Sequence, residues 1–373
     1  MRIGLVIYGR LDTLTGGYLY DRFLVEALRE RGHRVEVISL DLKSYPARLL
    51  DNFSRRPAGR LTGRNWDLML QDALCHPSLI RLNHRVRRGR RPAIVAIVHQ
   101  VLCRQPRPRL VNRVYGWAEK TYYRSVDGAL FASRFTRDAA RAFVRADAPL
   151  RVVPPAGDRL GCIPSVRAVF ERSRQAGPLK LLFVGNLSPV KGLDRLLECL
   201  ARLPPNVWHL AVAGSLTMDR KHARRIQELI ARFGLGSQVS LMGAVNGEPL
   251  RALYLGAHLF AMPFAHEGFG IAALEAMAFG LPVIGSAEGG VREFVRHAHN
   301  GFLAAARDDE AVIRHIALLH RNRDLLAAMS QAALQTLSER PGWERTMRCG
   351  CDFLERVAGS PRRGSDAAGG RRT

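Results

Sequence analysis

The sequence of 373 residues is long enough for two domains of ordinary size, and its 47% content of hydrophobic residues excludes a disordered chain. No run of about 20 uncharged apolar residues is present, so no membrane-spanning helix is predicted. The formal net charge is +24: residues 1–178 carry 33 basic and 15 acidic residues (+18), and residues 179–373 carry 24 and 18 (+6). This excess favours anionic partners such as a membrane leaflet, a phosphorylated lipid or nucleic acid, or else forms a solvated basic face without a partner.

The first half of the chain alternates apolar, β-prone runs with stretches of helical periodicity. In chain order the predicted elements are a strand at 3–8, a glycine turn at 15–17, a helix at 18–31 and strands at 35–40, 68–70, 93–98 and 128–131, closed by residues 152–155. This order predicts a doubly wound parallel sheet. The first turn lacks the full G-x-G-x-x-G pattern, so a dinucleotide cofactor is not expected.

A second cycle of the same kind follows residues 158–178, whose glycines and prolines indicate an interdomain connection. Its predicted elements are strands at 179–184, 208–213, 239–242, 257–263 and 282–285, helices at 219–233 and from Ile271, and a last helix at 343–357. The sequence therefore predicts an α/β protein with two Rossmann-like halves.

Six cysteines are scattered along the chain without a CxxC pair or a histidine at metal-binding spacing. This usage is typical of reduced thiols in a cytosolic protein, and we expect no metal site. The apolar run at residues 3–8 is short and continues directly into a glycine turn, so it is interpreted as a buried strand rather than a signal peptide. We therefore expect a cytoplasmic protein.

The segment 261–290, AMPFAHEGFGIAALEAMAFGLPVIGSAEGG, is the most informative part of the sequence. Two carboxylates, Glu267 and Glu275, flank the loop Gly268-Phe269-Gly270, which follows an apolar strand and opens a helix near Ile271. A helix N-terminus preceded by glycines offers unpaired backbone N–H groups and a partial positive charge. This arrangement suits a phosphate or diphosphate, whereas the structural alternative is an ordinary turn before a buried helix.

The segment resembles the E-x7-E signature of retaining nucleotide-sugar glycosyltransferases with the GT-B fold, above all family 4 (group 1), and the similarity continues to Asn300-Gly301. The resemblance implies two Rossmann-like domains that face each other across a central cleft. It implies an acceptor-binding domain at 1–160, joined by the crossing helix at 343–357, and a nucleotide-sugar-binding domain at 178–335. The tail at 359–373 is predicted to be disordered.

The turn at residues 184–192, VGNLSPVKG, resembles the family's phosphate clamp, G-R-L-x-x-x-K-G. Lys191 falls on the lysine that the family uses against the diphosphate, but Asn186 replaces the usual arginine. An amide can donate a hydrogen bond but carries no charge, so the clamp is weaker or another cation substitutes. Gly16 and Gly17 match the glycines that let the first loop approach the phosphates and the donor sugar.

By the same resemblance, Glu267 contacts hydroxyls of the donor sugar and Glu275 binds the ribose hydroxyls. The loop Gly268-Phe269-Gly270 presents backbone N–H groups to the sugar or phosphate. His99, at the end of the strand 93–98, lies beside the reacting sugar, where it positions or polarises rather than acting as an obligate base. A phosphate-binding loop between the carboxylates argues against a glycosidase, whose two acids flank one bond.

The resemblance implies metal-independent, retaining transfer from a nucleotide-sugar donor of the UDP, GDP or ADP type, with no further cofactor. The basic first half favours a lipid-linked or surface-polysaccharide acceptor at the inner face of the plasma membrane. The mixed basic and apolar stretch 111–126 suits a membrane interface, and a core-facing helix explains it equally well. Two alternatives remain: a catalytically silent nucleotide-sugar-binding scaffold, favoured only by Asn186, and a nucleic-acid binder, against which the absence of a recognition motif argues.

Overall fold

The computed structural model describes residues 1–62, 64–87, 92–161 and 163–360. Within these residues the strands form two parallel sheets of six strands each, one in each half of the chain. This architecture confirms the predicted α/β class with two Rossmann-like halves. None of the helices in the described part of the chain combines the length and hydropathy that crossing a bilayer requires.

The first domain has the strand order β2-β1-β3-β4-β5-β6. Its strands are β1 (Arg2–Tyr8), β2 (Arg34–Leu40), β3 (Leu68–Asp72), β4 (Ala93–Val98), β5 (Gly128–Phe131) and β6 (Leu150–Val152). Its helices are α1 (Gly16–Glu30), α2 (Tyr45–Leu50), α3 (Arg55–Thr62), α4 (His76–Leu79), α5 (Leu82–Val86), α6 (Arg109–Arg124) and α7 (Arg134–Ala140). Every residue of β3, β4 and β5 is buried, because helices cover both faces of the sheet.

The second domain has the strand order β12-β11-β10-β7-β8-β9. Its strands are β7 (Leu179–Val184), β8 (Trp208–Ala213), β9 (Val239–Gly243), β10 (Leu259–Met262), β11 (Val283–Ser286) and β12 (Gly301–Ala304). Its helices are α8 (Val166–Ser173), α9 (Leu193–Leu200), α10 (Arg220–Arg232), α11 (Gly247–Gly256), α12 (Ile271–Ala278), α13 (Asp309–Arg321) and α14 (Arg323–Ser338), followed by α15 (Trp343–Gly359). One continuous core holds this sheet and its helices together.

The last helix, α15, packs on the first domain although it follows the second in sequence. The ring of Trp343 stacks on Phe23 of α1 with 4.2 Å between centroids. Arg31, just after α1, forms ion pairs with Asp352 at 2.7 Å and Glu355 at 3.0 Å. Asp158, at the end of the first domain, accepts a hydrogen bond from the Trp343 backbone N–H at 3.1 Å. The hydrogen bond between Asp158 and Trp343 therefore fixes the connection between the domains to the start of α15, where the chain returns to the first domain.

Helices α11, α13 and α14 were not among the predicted elements, and the structure differs from the sequence prediction in two further elements. The predicted connection 158–178 contains a helix, α8, which packs against α14 of the second domain. The edge strand β12 was not predicted, because it has only four residues, begins with a glycine and lacks a periodic pattern. The tail at 361–373, Cys162 and the arginines at 88, 90 and 91 lie outside the described residues. The five described cysteines are free thiols.

Candidate functional site

The carboxyl ends of the two sheets face each other across a cleft that contains a cavity of about 410 Å³. Strand order reverses between β1 and β3 in the first sheet and between β7 and β10 in the second. Such switch points leave a crevice in which α/β proteins bind ligands. The charged or titratable residues that line the cavity are Tyr18, Arg22, Asp72, His99, Arg159, Lys191, Glu267 and Glu275. No set of three or more histidine, cysteine or acidic side chains in the described residues is placed to hold a metal ion.

Lys191 and Glu267 form an ion pair in this cavity. Lys191 ends a 3-10 turn after β7, and Glu267 lies in the loop after β10. The Lys191 Nζ donates a hydrogen bond to Glu267 Oε1, and the two side chains are only 21% and 18% exposed. The loops are tied to each other by a hydrogen bond from the backbone N–H of His266 to the carbonyl of Val190, at 2.9 Å. Because β7 and β10 are neighbours in the sheet, the loops that follow them bring Lys191 and Glu267 together although the two residues are distant in sequence.

The loop from Gly268 to Gly270 leaves backbone N–H groups free beside the cavity. Gly270 has a φ of 98°, in the left-handed region, and a Cβ there would lie 2.5 Å from Val291 Cγ1, so glycine is required. Helix α12 begins at the next residue, and the N–H groups of Phe269, Gly270 and Ile271 donate to none of the described residues. These donors and the helix dipole favour an anion at this point.

Helix α1 presents a second N-terminus to the same cavity. Gly16 and Gly17 form its first turn, and Thr15 caps it by accepting a hydrogen bond from the Tyr18 N–H at 3.2 Å. A Cβ on Gly16 would lie 3.6 Å from the Cδ1 atom of Ile271, the first residue of α12. The positive ends of two helices therefore meet across the cleft, where they favour a diphosphate more strongly than one helix does.

The first domain holds the glycine loop of the second domain tightly. The Ser133 hydroxyl donates to the carbonyl of Gly268 at 2.6 Å in a buried contact. The backbone N–H of Phe135 donates to Glu293 Oε1 at 2.7 Å. A Cβ on Gly268 would clash with the carbonyl oxygen of His99, so glycine at this position permits the close approach of the domains.

His99 follows β4 and is held by a buried carboxylate. Its Nε2 lies 2.9 Å from Asp21 Oδ1 on α1, and its Nδ1 bonds to none of the described residues. Burial by itself lowers the pKa of His99, but the charge and hydrogen bond of Asp21, together with the nearby Asp72, outweigh it, and the net shift is upward. Burial raises the pKa of Asp72, at the end of β3, to about 7. The site therefore favours a protonated His99 with Nδ1 available to a ligand.

Glu275 lies within α12 and is buried with both oxygens bonded. Its Oε1 accepts from Arg159 Nε at 2.7 Å, and its Oε2 accepts from the Tyr254 hydroxyl at 3.2 Å. Arg159 Nη1 also donates to Asn246 Oδ1 at 2.6 Å. The carboxylate that the sequence assigns to ribose is thus already paired with a cation from the interdomain connection.

Asn186 lines the cavity, but both ends of its amide are engaged. Its Oδ1 accepts from the Ser215 backbone N–H at 3.1 Å, and its Nδ2 donates to the carbonyl of Leu14 at 2.9 Å. Leu14 belongs to the first domain, so this side chain bridges the cleft. In this structure Asn186 therefore joins the domains with one N–H of its amide, and it carries no charge toward a phosphate.

Sequence reasoning missed Asp21, Asp72, Ser133 and Arg159 as residues of the site. Only Asp72 carried a local signal, since a carboxylate directly after a buried strand of a parallel sheet points to the ligand-binding edge. The other three lie in a helix, a turn and a connection without a recognisable motif. Their proximity to the site depends on packing between distant parts of the chain.

Residues 167–336 match the family model described as glycosyl transferases group 1. An uncharacterized glycosyltransferase of Methanocaldococcus jannaschii is 35% identical over 133 residues, which is 35% of this chain and 33% of that protein. A GDP-mannose-dependent alpha-(1-6)-phosphatidylinositol monomannoside mannosyltransferase of Mycobacterium tuberculosis is 28% identical over 271 residues, 68% of each chain. The structure of Anabaena HepE in complex with UDP-glucose superimposes with a TM-score of 0.75 at 19% identity, over 95% of this chain and 100% of that one.

The matched family region contains Lys191, Glu267, Glu275 and the glycine loop between the two carboxylates. Residues 167–336 therefore belong to the glycosyl transferases group 1, and the chain that carries them has the GT-B fold. This confirms the predicted fold class and, over residues 167–336, the group 1 part of the resemblance. The chain covers a third of the first of these relatives and about two thirds of the second.

Proposed function

We propose that this chain is a retaining, metal-independent glycosyltransferase that moves a sugar from a nucleotide-sugar donor to a lipid-linked or surface-polysaccharide acceptor. The observation that carries the proposal is the convergence of Lys191, Glu267 and two helix N-termini on one cavity between the domains. These groups supply positive charge and N–H donors where a departing diphosphate accumulates negative charge. Membership of residues 167–336 in the group 1 family supports the reaction class.

In the proposed reaction the bond between the anomeric carbon and the diphosphate breaks as the acceptor hydroxyl attacks from the same face. The leaving phosphate takes the proton of that hydroxyl, so the anomeric configuration is retained. Lys191 and the N–H groups at the start of α12 stabilise the diphosphate, and Glu267 stabilises positive charge near the anomeric carbon. Protonated His99 donates from Nδ1 to a sugar hydroxyl or phosphate oxygen and does not act as a base.

The proposed donor is a UDP, GDP or ADP sugar. One relative is named as GDP-mannose-dependent, and one neighbouring structure contains UDP-glucose, which supports a nucleotide-sugar donor without selecting its base. We place the nucleoside end of the cavity between Glu275 and residues 244–246, which follow β9 and line the same cavity. Lys191 lies toward the diphosphate and His99 toward the transferred sugar.

A thermal-shift panel of UDP, GDP, ADP and dTDP with their common sugar conjugates tests donor binding. A nucleotide at 100 times its Kd adds about 2.7 kcal/mol to the free energy of unfolding. Transfer with the selected donor is then followed by NMR of the product's anomeric configuration, and an inverted product would contradict retention. Absence of any shift would contradict nucleotide-sugar binding, while binding without transfer would favour the catalytically silent scaffold.

Replacing Asp21 with asparagine is expected to move the alkaline limb of the kcat/KM profile to lower pH. The ordinary histidine pKa is about 6.5, and Asp21 is the main group that raises the pKa of His99. Protonated His99 is therefore fully present below the ordinary histidine pKa and is lost as pH rises through the higher folded-state pKa. The variant D21N lowers that folded-state pKa, so the protonated form is lost at a lower pH. Asp138, an exposed acid on α7, provides the control variant Asp138→Asn. An alkaline limb that D21N leaves in place would contradict the role of Asp21.

We propose that α6 brings the first domain to an anionic membrane, where a lipid-linked acceptor is available. Leu110, Val114 and Trp117 lie along one exposed stripe and are 75%, 50% and 61% exposed. The exposed cations of this helix are Arg109, Arg113, Lys120 and Arg124. Its single acid, Glu119, is buried and accepts hydrogen bonds from the N–H groups of Leu102 and Cys103. Exposed apolar side chains within an acid-free basic face are typical of interfacial helices.

Removal of three charges from α6, in the variant Arg113→Gln/Lys120→Gln/Arg124→Gln, is expected to reduce binding to anionic vesicles. Each basic residue near an anionic surface contributes about 1 kcal/mol to the free energy of binding, so we expect the affinity for anionic vesicles to fall more than about tenfold. Co-sedimentation with vesicles of phosphatidylglycerol and phosphatidylcholine measures it, and pure phosphatidylcholine vesicles show the contribution of charge. The variant Lys221→Gln/Arg224→Gln/Arg225→Gln removes the same charge from exposed positions of α10. An equal loss in both variants would contradict a docking role specific to α6.

A further inference from the structure

The phosphate clamp after β7 lacks its second cation, because Asn186 occupies the position of the family's arginine. The amide of Asn186 is bonded to Ser215 of its own domain and to Leu14 of the first domain. Lys191 is then the sole basic side chain of that clamp, and its charge is shared with Glu267. Two other strong cations, Arg22 and Arg159, line the same cavity in the described part of the chain. These two arginines are therefore the candidates for the missing positive charge.

Arg159 is held in a defined position at the nucleoside end of the cavity. It follows Asp158, which is fixed by its hydrogen bond to the start of α15. Its side chain is 16% exposed, with Nε on Glu275 and Nη1 on Asn246. The Nη2 group bonds to none of the described residues. The planar guanidinium is thus oriented by two partners and keeps one pair of N–H donors for a ligand.

Arg22 approaches from the opposite wall of the cleft. It lies on α1, and its Nη1 donates to the carbonyl of Leu11 at 2.8 Å. Arg22 and Arg159 both line the cavity. Burial lowers the pKa of Arg22 and the charge of Arg159 lowers it further, which is the direction that repulsion between two cations in one cavity produces. An anion bound between them relieves this repulsion and links the two domains.

We propose that Arg159 supplies the cation that position 186 lacks, by bonding through Nη2 to the α-phosphate of the bound nucleotide while it holds Glu275 for the ribose. The inference rests on the nucleotide-sugar binding proposed above. In a nucleotide the α-phosphate is attached to the ribose itself, so a guanidinium bonded to the ribose carboxylate is suitably placed to reach it. Lys191 then binds the β-phosphate, and Arg22 adds positive charge from the first domain.

Isothermal titration calorimetry with a nucleoside and its mono- and diphosphate separates these contacts. The probes are uridine, UMP and UDP, guanosine, GMP and GDP, or adenosine, AMP and ADP, according to which diphosphate the wild-type chain binds most tightly. Arg159→Gln is expected to weaken the monophosphate and the diphosphate by the same factor, at least about tenfold, and the nucleoside less than about threefold. Lys191→Ala is expected to weaken the diphosphate alone. Arg251→Gln, on α11 and paired with Glu248, is the matched control and leaves all three affinities unchanged.

Equal weakening of nucleoside and monophosphate in Arg159→Gln would overturn the proposal, since Arg159 would then act only through Glu275. Unchanged affinity for all probes would overturn it as well. If the wild-type chain binds no nucleotide, the proposed function fails, and that outcome is distinct from a failure of the variant. Where Arg159→Gln does not fold, Arg159→Lys replaces it and is expected to lower the ratio of monophosphate to nucleoside affinity. An unchanged ratio would overturn the assignment.

Discussion

Replacing Glu267 with glutamine is expected to lower the rate of sugar transfer at least about 100-fold, the scale for losing one preorganised electrostatic group. Glutamine has nearly the same size but no charge, so positive charge near the anomeric carbon loses its counter-ion. The substitution also removes the ion pair with Lys191. The measurement is kcat with the donor that the thermal-shift panel selects. Donor affinity is measured separately by calorimetry, because an effect on the transition state lowers kcat more than it weakens binding.

Glu288→Gln is the matched control for this experiment. Glu288 is an exposed carboxylate in the loop after β11, and it does not line the cavity. We expect this variant to keep wild-type turnover. A Glu267→Gln variant whose turnover stays within about threefold of wild type would remove Glu267 from the proposed reaction centre.

Truncating Lys191 to alanine is the second change for which we expect a loss of at least about 100-fold in transfer. It removes the cation of the clamp after β7 and leaves the Glu267 carboxylate without its partner beside a diphosphate of the same sign. Both donor affinity and kcat are therefore expected to fall. The measurement is kcat/KM for the donor at fixed ionic strength, since salt screens the interaction of charges near the surface.

Lys221→Ala removes an exposed lysine of α10 and provides the control for charge and side-chain length. The double variant Glu267→Gln/Lys191→Ala adds a sharper test. Because the two side chains are bonded to each other, we expect the double variant to lose less than the product of the two single effects. Strict additivity would show that the pair does not act as a unit and would contradict the geometry of the site.

Much of the fold could be read from local patterns. The strands 93–98, 128–131, 179–184 and 208–213 were predicted with the bounds that the structure shows, since each is a short, mainly apolar run that is largely buried. Helices α1, α10 and α15 were recognised within one to two residues at each end. The pattern failed at β12 and α8, where short elements depend on packing against α14 and on a neighbouring strand rather than on their own periodicity.

The sequence by itself determined which loops carry the site. Lys191, Glu267 and the glycines between Glu267 and Glu275 follow strands of a parallel sheet, and the ends of such strands meet at one edge, so their convergence follows from spacing and strand order. The group 1 resemblance rested on this same segment. Glycine at position 270 has a local reason, the left-handed backbone at the start of α12, and a second reason in the close approach of Val291.

Only the tertiary structure decided how the charges of the site are paired. Arg159 reaches Glu275 over 116 residues of sequence, and Asp21 reaches His99 over 78. Asn186, which lacks the charge expected at its position in the clamp, donates a hydrogen bond to the carbonyl of Leu14 and so forms a contact between the domains. Such pairings depend on how the two sheets are set against each other. No residue carries that information locally, because an ion pair or buried hydrogen bond is defined by the position of its partner in space.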